Sequence, residues 1–133
     1  MEKPQTSKVL IVDDMDMILF VIKEQLLRYG LQVDTAVSGA EAVKKTKDNV
    51  YDLVFMDHLM PEMDGIQAVK EIRKREGEEK GNRLPVIALT SNTDSGAEEM
   101  FLDAGFNGFL AKPVVKQKLE EMLKKWLPQA FQL

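Results

Sequence analysis

The run Leu53-Val54-Phe55-Met56 is apolar at every position and ends on Asp57, and a segment of that kind folds stably only where both of its faces are covered. A half-exposed strand alternates, whereas an all-apolar one bounded by charge belongs to a parallel sheet between two helical layers. Three further runs follow the same pattern. Val9-Leu10-Ile11-Val12 ends in Asp13-Asp14, Val86-Ile87-Ala88-Leu89 in Thr90-Ser91, and Gly108-Phe109-Leu110-Ala111 in Lys112-Pro113. Apolar strands that each terminate in a polar group imply a sheet with one functional edge, because ligands of open α/β sheets bind outside the carboxyl ends of the strands.

Between these strands the apolar spacing turns helical. Ile18, Leu19, Val21, Ile22, Leu26 and Tyr29 recur as one helix stripe that Gly30 stops, and residues 31–36 alternate as a strand. Ser38 with Glu41 predicts a capping box for a helix over 39–47. Asp64 caps a helix carrying Ile66, Val69 and Ile72 to about Arg75, and the charged, glycine-rich stretch 76–83 reads as a solvated loop before Pro85. Asp94 or Ser95 is expected to cap a shorter helix with Ala97, Met100, Phe101 and Ala104 inward, closed by Gly105. A last helix, 114–127, carries Val115, Leu119, Met122, Leu123 and Trp126 and stops at Pro128. Five alternations of strand and helix predict an α/β fold with a doubly wound parallel sheet. The first and fifth helices should share one face, and the second to fourth the other.

At 133 residues the chain is expected to be one domain, with its core over about 8–127. Net charge is only −4, with Lys and Arg dispersed among Asp and Glu, so no basic stripe marks a nucleic-acid partner. With no cysteine, disulfides and thiolate metal sites are excluded, which is compatible with a cytoplasmic location. No apolar stretch reaches the roughly 20 residues that span a bilayer, and the N-terminus lacks a signal-peptide core, so no direct membrane partner is expected.

The constellation Val9-Leu10-Ile11-Val12-Asp13-Asp14, Met56-Asp57-x-x-Met60-Pro61-x-Met63-Asp64-Gly65, Ala88-Leu89-Thr90 and Ala111-Lys112-Pro113 resembles that of the receiver domains of two-component response regulators, from Lys8 to about Leu127. The resemblance implies a flavodoxin-like (βα)5 fold with strand order 2-1-3-4-5. Position by position, Asp57 resembles the phosphoacceptor and Asp13 and Asp14 the acidic pair that holds Mg²⁺. Thr90 resembles the switch hydroxyl, Lys112 the basic residue on the phosphoryl group, and Phe109 the aromatic switch position. Partners implied are a histidine kinase or a histidine-phosphotransfer domain. A phosphorylation-dependent dimer or target on the fourth helix, fifth strand and fifth helix is also implied.

The implied order passes a physical check. With strands about 4.8 Å apart, Asp13 and Asp14 neighbour Asp57, and Lys112 lies roughly 10 Å away, within reach of a lysine stem. Three carboxylates so gathered repel, and a hard divalent ion such as Mg²⁺ relieves them. Asp57 is then expected to attack a phosphoryl group in line and form an acyl phosphate. The backbone carbonyl of Leu59 is expected to face the ion, while Leu59 and Asn92 flank the entrance without supplying a general base, so self-dephosphorylation should be slow.

Bland alternatives exist for single residues. Paired acids after a strand are commonly a solvated loop, Lys112 alone a surface lysine, Thr90 a strand-end cap and Phe109 static core. His58, the only histidine, is expected to be a surface or half-buried neighbour of the acceptor. An aspartate-nucleophile phosphatase of haloacid dehalogenase type needs a second Asp two residues after the first, where this chain has Leu59. A nucleotide-binding module needs a glycine-rich loop after the first strand, where Asp13-Asp14-Met15-Asp16 stands. The wording of the Asp57 motif and the Lys125-Trp126-Leu127-Pro128 ending resemble the C-terminal receiver of a hybrid sensor histidine kinase. A stand-alone regulator is the other reading, in which no output domain is expected after the last helix.

Overall fold

The computed structural model describes residues 7–60, 62–77 and 83–128. In chain order the elements are β1 (Lys8–Val12), α1 (Asp16–Leu27), β2 (Gln32–Ala36), α2 (Gly39–Asp48), β3 (Leu53–Asp57), α3 (Gly65–Glu76), β4 (Val86–Thr90), α4 (Ala97–Ala104), β5 (Gly108–Ala111) and α5 (Lys116–Trp126). The five strands are all parallel, in the order β2-β1-β3-β4-β5. This is the doubly wound topology in which the chain reverses direction between β1 and β3.

Two cores lie on opposite faces of the sheet. Leu19, Ile22 and Leu26 of α1 and Leu119 and Leu123 of α5 pack with Val9, Ile11, Phe55, Ile87 and Leu89 on one side. Ala42 of α2, Ala68, Val69 and Ile72 of α3, and Ala97 and Phe101 of α4 pack with Leu10, Val12, Val54, Met56 and Ala88 on the other. Alternate residues of β3 feed alternate cores, which is why that strand is apolar throughout. Each fully buried aliphatic or aromatic side chain contributes about 1.5–3 kcal/mol.

Local signals account for the element ends, with some corrections. Asp64 forms a complete capping box with Gln67 at the start of α3. Ser38 Oγ accepts from Glu41 N, but Glu41 reaches back to Val37 N rather than to Ser38, so the reciprocal arm of that box is displaced by one residue. Neither Asp94 nor Ser95 caps α4. Asp94 instead closes a turn through its carbonyl, which accepts from Ala97 N, and the helix is entered through Gly96 in the left-handed region at φ 92°. Met100 is exposed rather than inward. Helix α5 starts at Lys116, two residues later than the apolar spacing predicts. Pro61 and most of the 76–83 loop (78–82) lie outside the described residues.

Gly65 closes the loop after β3 onto the strand end, its N–H donating to the His58 carbonyl at 3.0 Å. A Cβ there would collide with the Asp57 carbonyl oxygen, a backbone atom held in the sheet. Gly65→Ala is therefore expected to cost about 2 kcal/mol by overpacking, read as a lower urea midpoint with unchanged slope. An unaltered midpoint would mean that the loop moves freely.

Candidate functional site

Strand register brings the polar chain ends together. Val12 pairs with Met56, so Asp13 emerges level with Asp57. Asp57 pairs with Leu89, and Thr90 with Ala111, so Thr90 and Lys112 follow in step on the next two strands. The result is an open cleft of about 350 Å³ lined by Asp14, Met15, Asp57, His58, Leu59, Thr90, Ser91, Asn92 and Lys112.

Lys112 is the centre of the charge arrangement. Its Nζ lies 2.7 Å from Asp57 Oδ1 and 2.9 Å from Asp13 Oδ2, and its side chain is only 16% exposed. Asp13 is fully buried; its Oδ1 accepts from Met15 N at 2.9 Å, while Oδ2 has the ammonium nearby but no aligned hydrogen bond. Asp14 is exposed, yet carboxylate oxygens of Asp13, Asp14 and Asp57 lie within 4.8 Å of one another. Three acids thus face one cation, and the cluster is short of positive charge.

The pKa directions follow from this geometry. Burial pushes the Asp57 carboxyl up; repulsion by Asp13 and Asp14 adds to the rise, and the Lys112 hydrogen bond opposes it. For Lys112, burial works to lower the pKa, but its contacts with Asp57 and Asp13 outweigh burial and hold it above the ordinary lysine value. Ion pairing wins for the ammonium because it meets two carboxylates, and loses for Asp57 because it meets one ammonium and two acids.

Thr90 is 2% exposed; its Oγ1 accepts from Asn92 N at 2.9 Å and lies 3.3 Å from His58 Nδ1. Phe109 on β5 is half-buried against the Phe101 ring of α4, centroid to centroid 5.9 Å. Leu59 stands at the cleft mouth, 69% exposed. Asn92 is half-buried, its Oδ1 accepting from Asp94 N. The residue whose contacts the sequence left unread is His58. It is half-buried as expected, but it touches the Thr90 hydroxyl and packs edge-on against Phe101 at 4.9 Å. The only signal for those contacts was its place directly after the strand-end acid, which becomes meaningful once β4 is known to lie beside β3.

Alongside the cleft runs an apolar groove of about 450 Å³, lined by Met15, Met17, Ile18, Val21, Ile22, Pro113 and Val114 with Ser91 and Lys112. Met17 and the neighbouring Phe20 project from α1 into solvent. Among the described residues no helix is long and apolar enough to cross a membrane.

Comparison with known proteins agrees with this geometry. Residues 9–124 match the family model of the response regulator receiver domain. Over 123 residues, 90% of this chain, the sequence is 35% identical to hybrid signal transduction histidine kinase L of Dictyostelium discoideum. The chain spans only 7% of that kinase. The receiver domain of a sensor histidine kinase from Pseudomonas aeruginosa PAO1, solved with magnesium in its active-site cleft, superposes with a TM-score of 0.80 at 35% identity, covering 93% of this chain and 99% of that one. A Saccharomyces cerevisiae structure of a histidine phosphotransfer signalling protein with the receiver domain of its downstream response regulator matches with a TM-score of 0.84 at 29% identity, covering 95% and 92%. With its parallel 2-1-3-4-5 sheet and its acids and lysine on one edge, this chain belongs to the response regulator receiver domain family of two-component phosphorelays.

Proposed function

We propose that this receiver takes a phosphoryl group onto Asp57 from a phosphohistidine of a kinase or phosphotransfer domain. The observation that carries the assignment is the lysine bridge, with Lys112 Nζ at 2.7 Å from Asp57 and 2.9 Å from Asp13 on the same sheet edge. In the transfer a carboxylate oxygen of Asp57 attacks phosphorus, the phosphorus–nitrogen bond breaks as the new phosphorus–oxygen bond forms, and the histidine keeps the bonding pair. An acyl phosphate results. Lys112 stays beside Asp57 and offers its ammonium to the phosphoryl oxygens, a fixed charge where negative charge concentrates. Thr90 has a hydroxyl on the same cleft wall as a further donor to those oxygens.

Asp13, Asp14 and Asp57 suit a hard divalent cation. Their donors are all oxygens, the cluster carries excess negative charge, and Asp13 Oδ2 is buried with no aligned hydrogen bond. Mg²⁺ is the ion we propose, with the Leu59 carbonyl as an additional oxygen donor, and when bound it neutralises phosphoryl charge that one lysine cannot balance. Asp13→Asn and Asp14→Asn are each expected to weaken Mg²⁺ binding at least tenfold, about 1.4 kcal/mol, by calorimetric titration. Wild-type affinity in both variants would remove them from the site.

The apolar groove on α1, continuous with Lys112, supports a docking partner that brings its phosphohistidine to the cleft. Thr90 and Phe109 are proposed to carry the phosphorylated state toward α4, β5 and α5, where a dimer partner or target is read out. The kinase relatives support a hybrid-kinase origin and a cytoplasmic setting, since a relay needs Mg²⁺ and a kinase on the same side of the membrane. The metal cluster is tested by mass after incubation with phosphoramidate: one phosphoryl group in Mg²⁺ and none in EDTA is expected. Equal incorporation in both buffers would overturn the metal assignment.

A further inference from the structure

We infer that His58 is a positioning residue that holds the Thr90 hydroxyl in its resting orientation, so that phosphorylation must break the Thr90–His58 contact before Thr90 can bind the phosphoryl group. The inference rests on the reading of Asp57 as phosphoacceptor and names the group with which the phosphoryl oxygens compete.

Three observations carry it. Thr90 is 2% exposed, so its hydroxyl has little access to water and can only exchange one protein or phosphoryl partner for another. The hydroxyl already accepts from Asn92 N at 2.9 Å, and its remaining contact in the resting chain is His58 Nδ1 at 3.3 Å. With Nδ1 as the acceptor, the tautomer this proposal requires, the contact uses the hydroxyl's single proton, which a phosphoryl oxygen would need. The imidazole is itself held, its ring edge-on to Phe101 at 4.9 Å and an interplanar angle of 88°. Backbone bonds from His58 N to Leu89 O at 2.8 Å and from Gly65 N to His58 O at 3.0 Å anchor the residue to β4 and to the start of α3. A ring fixed in this way cannot follow the hydroxyl toward Asp57, so the contact breaks when Thr90 turns.

The same ring gives the exchange a mechanical consequence. Phe101 contacts His58, Phe106 and Phe109 at 4.9, 5.7 and 5.9 Å, so the ring that holds Thr90 packs on the same aromatic cluster under α4 as Phe109. In the resting state the contact favours the inactive arrangement. Its loss should shift a pre-existing equilibrium by the worth of one net hydrogen bond, roughly threefold to tenfold.

The test compares His58→Phe, which keeps the ring on Phe101 but removes Nδ1, with His58→Asn, whose amide places a polar atom near the Nδ1 position without the ring. Beryllofluoride with Mg²⁺ is the phosphoryl mimic, followed by NMR, and Thr90 χ1 is read from three-bond couplings in the metal-free chain. For His58→Phe we expect an altered Thr90 χ1 population and beryllofluoride binding tighter by roughly threefold to tenfold. His58→Asn should stay within about twofold of wild type, a margin below one net hydrogen bond. In a Thr90→Val background, His58→Phe should change binding no further, because the coupled partner is gone. Wild-type χ1 and affinity in His58→Phe, or the same shift in both His58 variants, would overturn the inference. If the wild type bound no beryllofluoride, the phosphoacceptor reading would fail on its own, and Thr90 χ1 in metal-free His58→Phe would still decide whether His58 holds the hydroxyl.

Discussion

Asp57→Asn is expected to acquire no phosphoryl mass from phosphoramidate or acetyl phosphate in Mg²⁺, under conditions in which the wild type gains one group. Asparagine keeps the shape of the side chain and leaves Lys112 its ion pair with Asp13, so the fold should persist while the nucleophile is lost. Stability should respond in the opposite sense to activity. Burial, then repulsion by Asp13 and Asp14, holds the Asp57 carboxyl above its ordinary value of 3.8. The native state therefore binds the proton more tightly than the unfolded chain, and metal-free stability falls as pH rises from 3.8 through the raised native value. Asp57→Asn removes that loss, so its urea midpoint should exceed that of the wild type at neutral pH and vary less with pH. Phosphoryl incorporation by Asp57→Asn at the wild-type rate would move the acceptor elsewhere.

Lys112→Met carries the second large effect, and here stability and chemistry fall together. The substitution keeps most of the stem but leaves Asp13, fully buried, and Asp57, 5% exposed, without their shared cation. Breaking a buried ion pair from one side costs about 3 kcal/mol, and that cost should appear in metal-free buffer and shrink when Mg²⁺ supplies the missing charge. Because the native lysine is held above its ordinary value of 10.5, its contribution is complete below that pH. The loss in Lys112→Met should thus be present across the neutral range, and the lysine's own contribution to wild-type stability should decline only as pH rises from 10.5 through the native lysine value. Phosphorylation by phosphoramidate should slow by roughly a hundredfold, the scale on which one preorganised charge stabilises a transition state. A variant with wild-type stability in EDTA and an unchanged rate would make Lys112 a surface lysine after all.

The fold was legible because its signals are local or periodic. Leu53 to Met56 could be apolar on both faces only beneath two helical layers, and the observed cores take alternate residues of that strand. Asp64 and Gln67 cap α3 through atoms three residues apart, which is as far as a sequence pattern needs to reach. The entry to α4 was misread because Asp94 and Ser95 are good caps by type, whereas the chain uses a turn and the positive φ of Gly96. Residue type states what a side chain can do at a helix start, but the direction of the incoming loop decides whether it does so.

The candidate site divides along the same line. Its chemistry, acids ending two strands and a lysine ending another, is written in residue types, and the family resemblance supplied the order that joins them. Distances and partners are consequences of register. Lys112 bridges Asp57 and Asp13 because Thr90 pairs with Ala111, Asp57 with Leu89 and Val12 with Met56. A slip of one residue in any of those pairings would turn a side chain away from the cleft. The contact between His58 and Thr90 joins residues 32 apart in the chain and depends on β3 lying beside β4 and on Phe101 supporting the ring. The sequence by itself determined the elements, the sheet between two helical layers and the inventory of charges, since these depend on periodicity and residue type. Which of those charges meet, which are buried, and which histidine nitrogen reaches which hydroxyl was decided only by tertiary structure, because non-local packing brings together groups that no spacing along the chain relates.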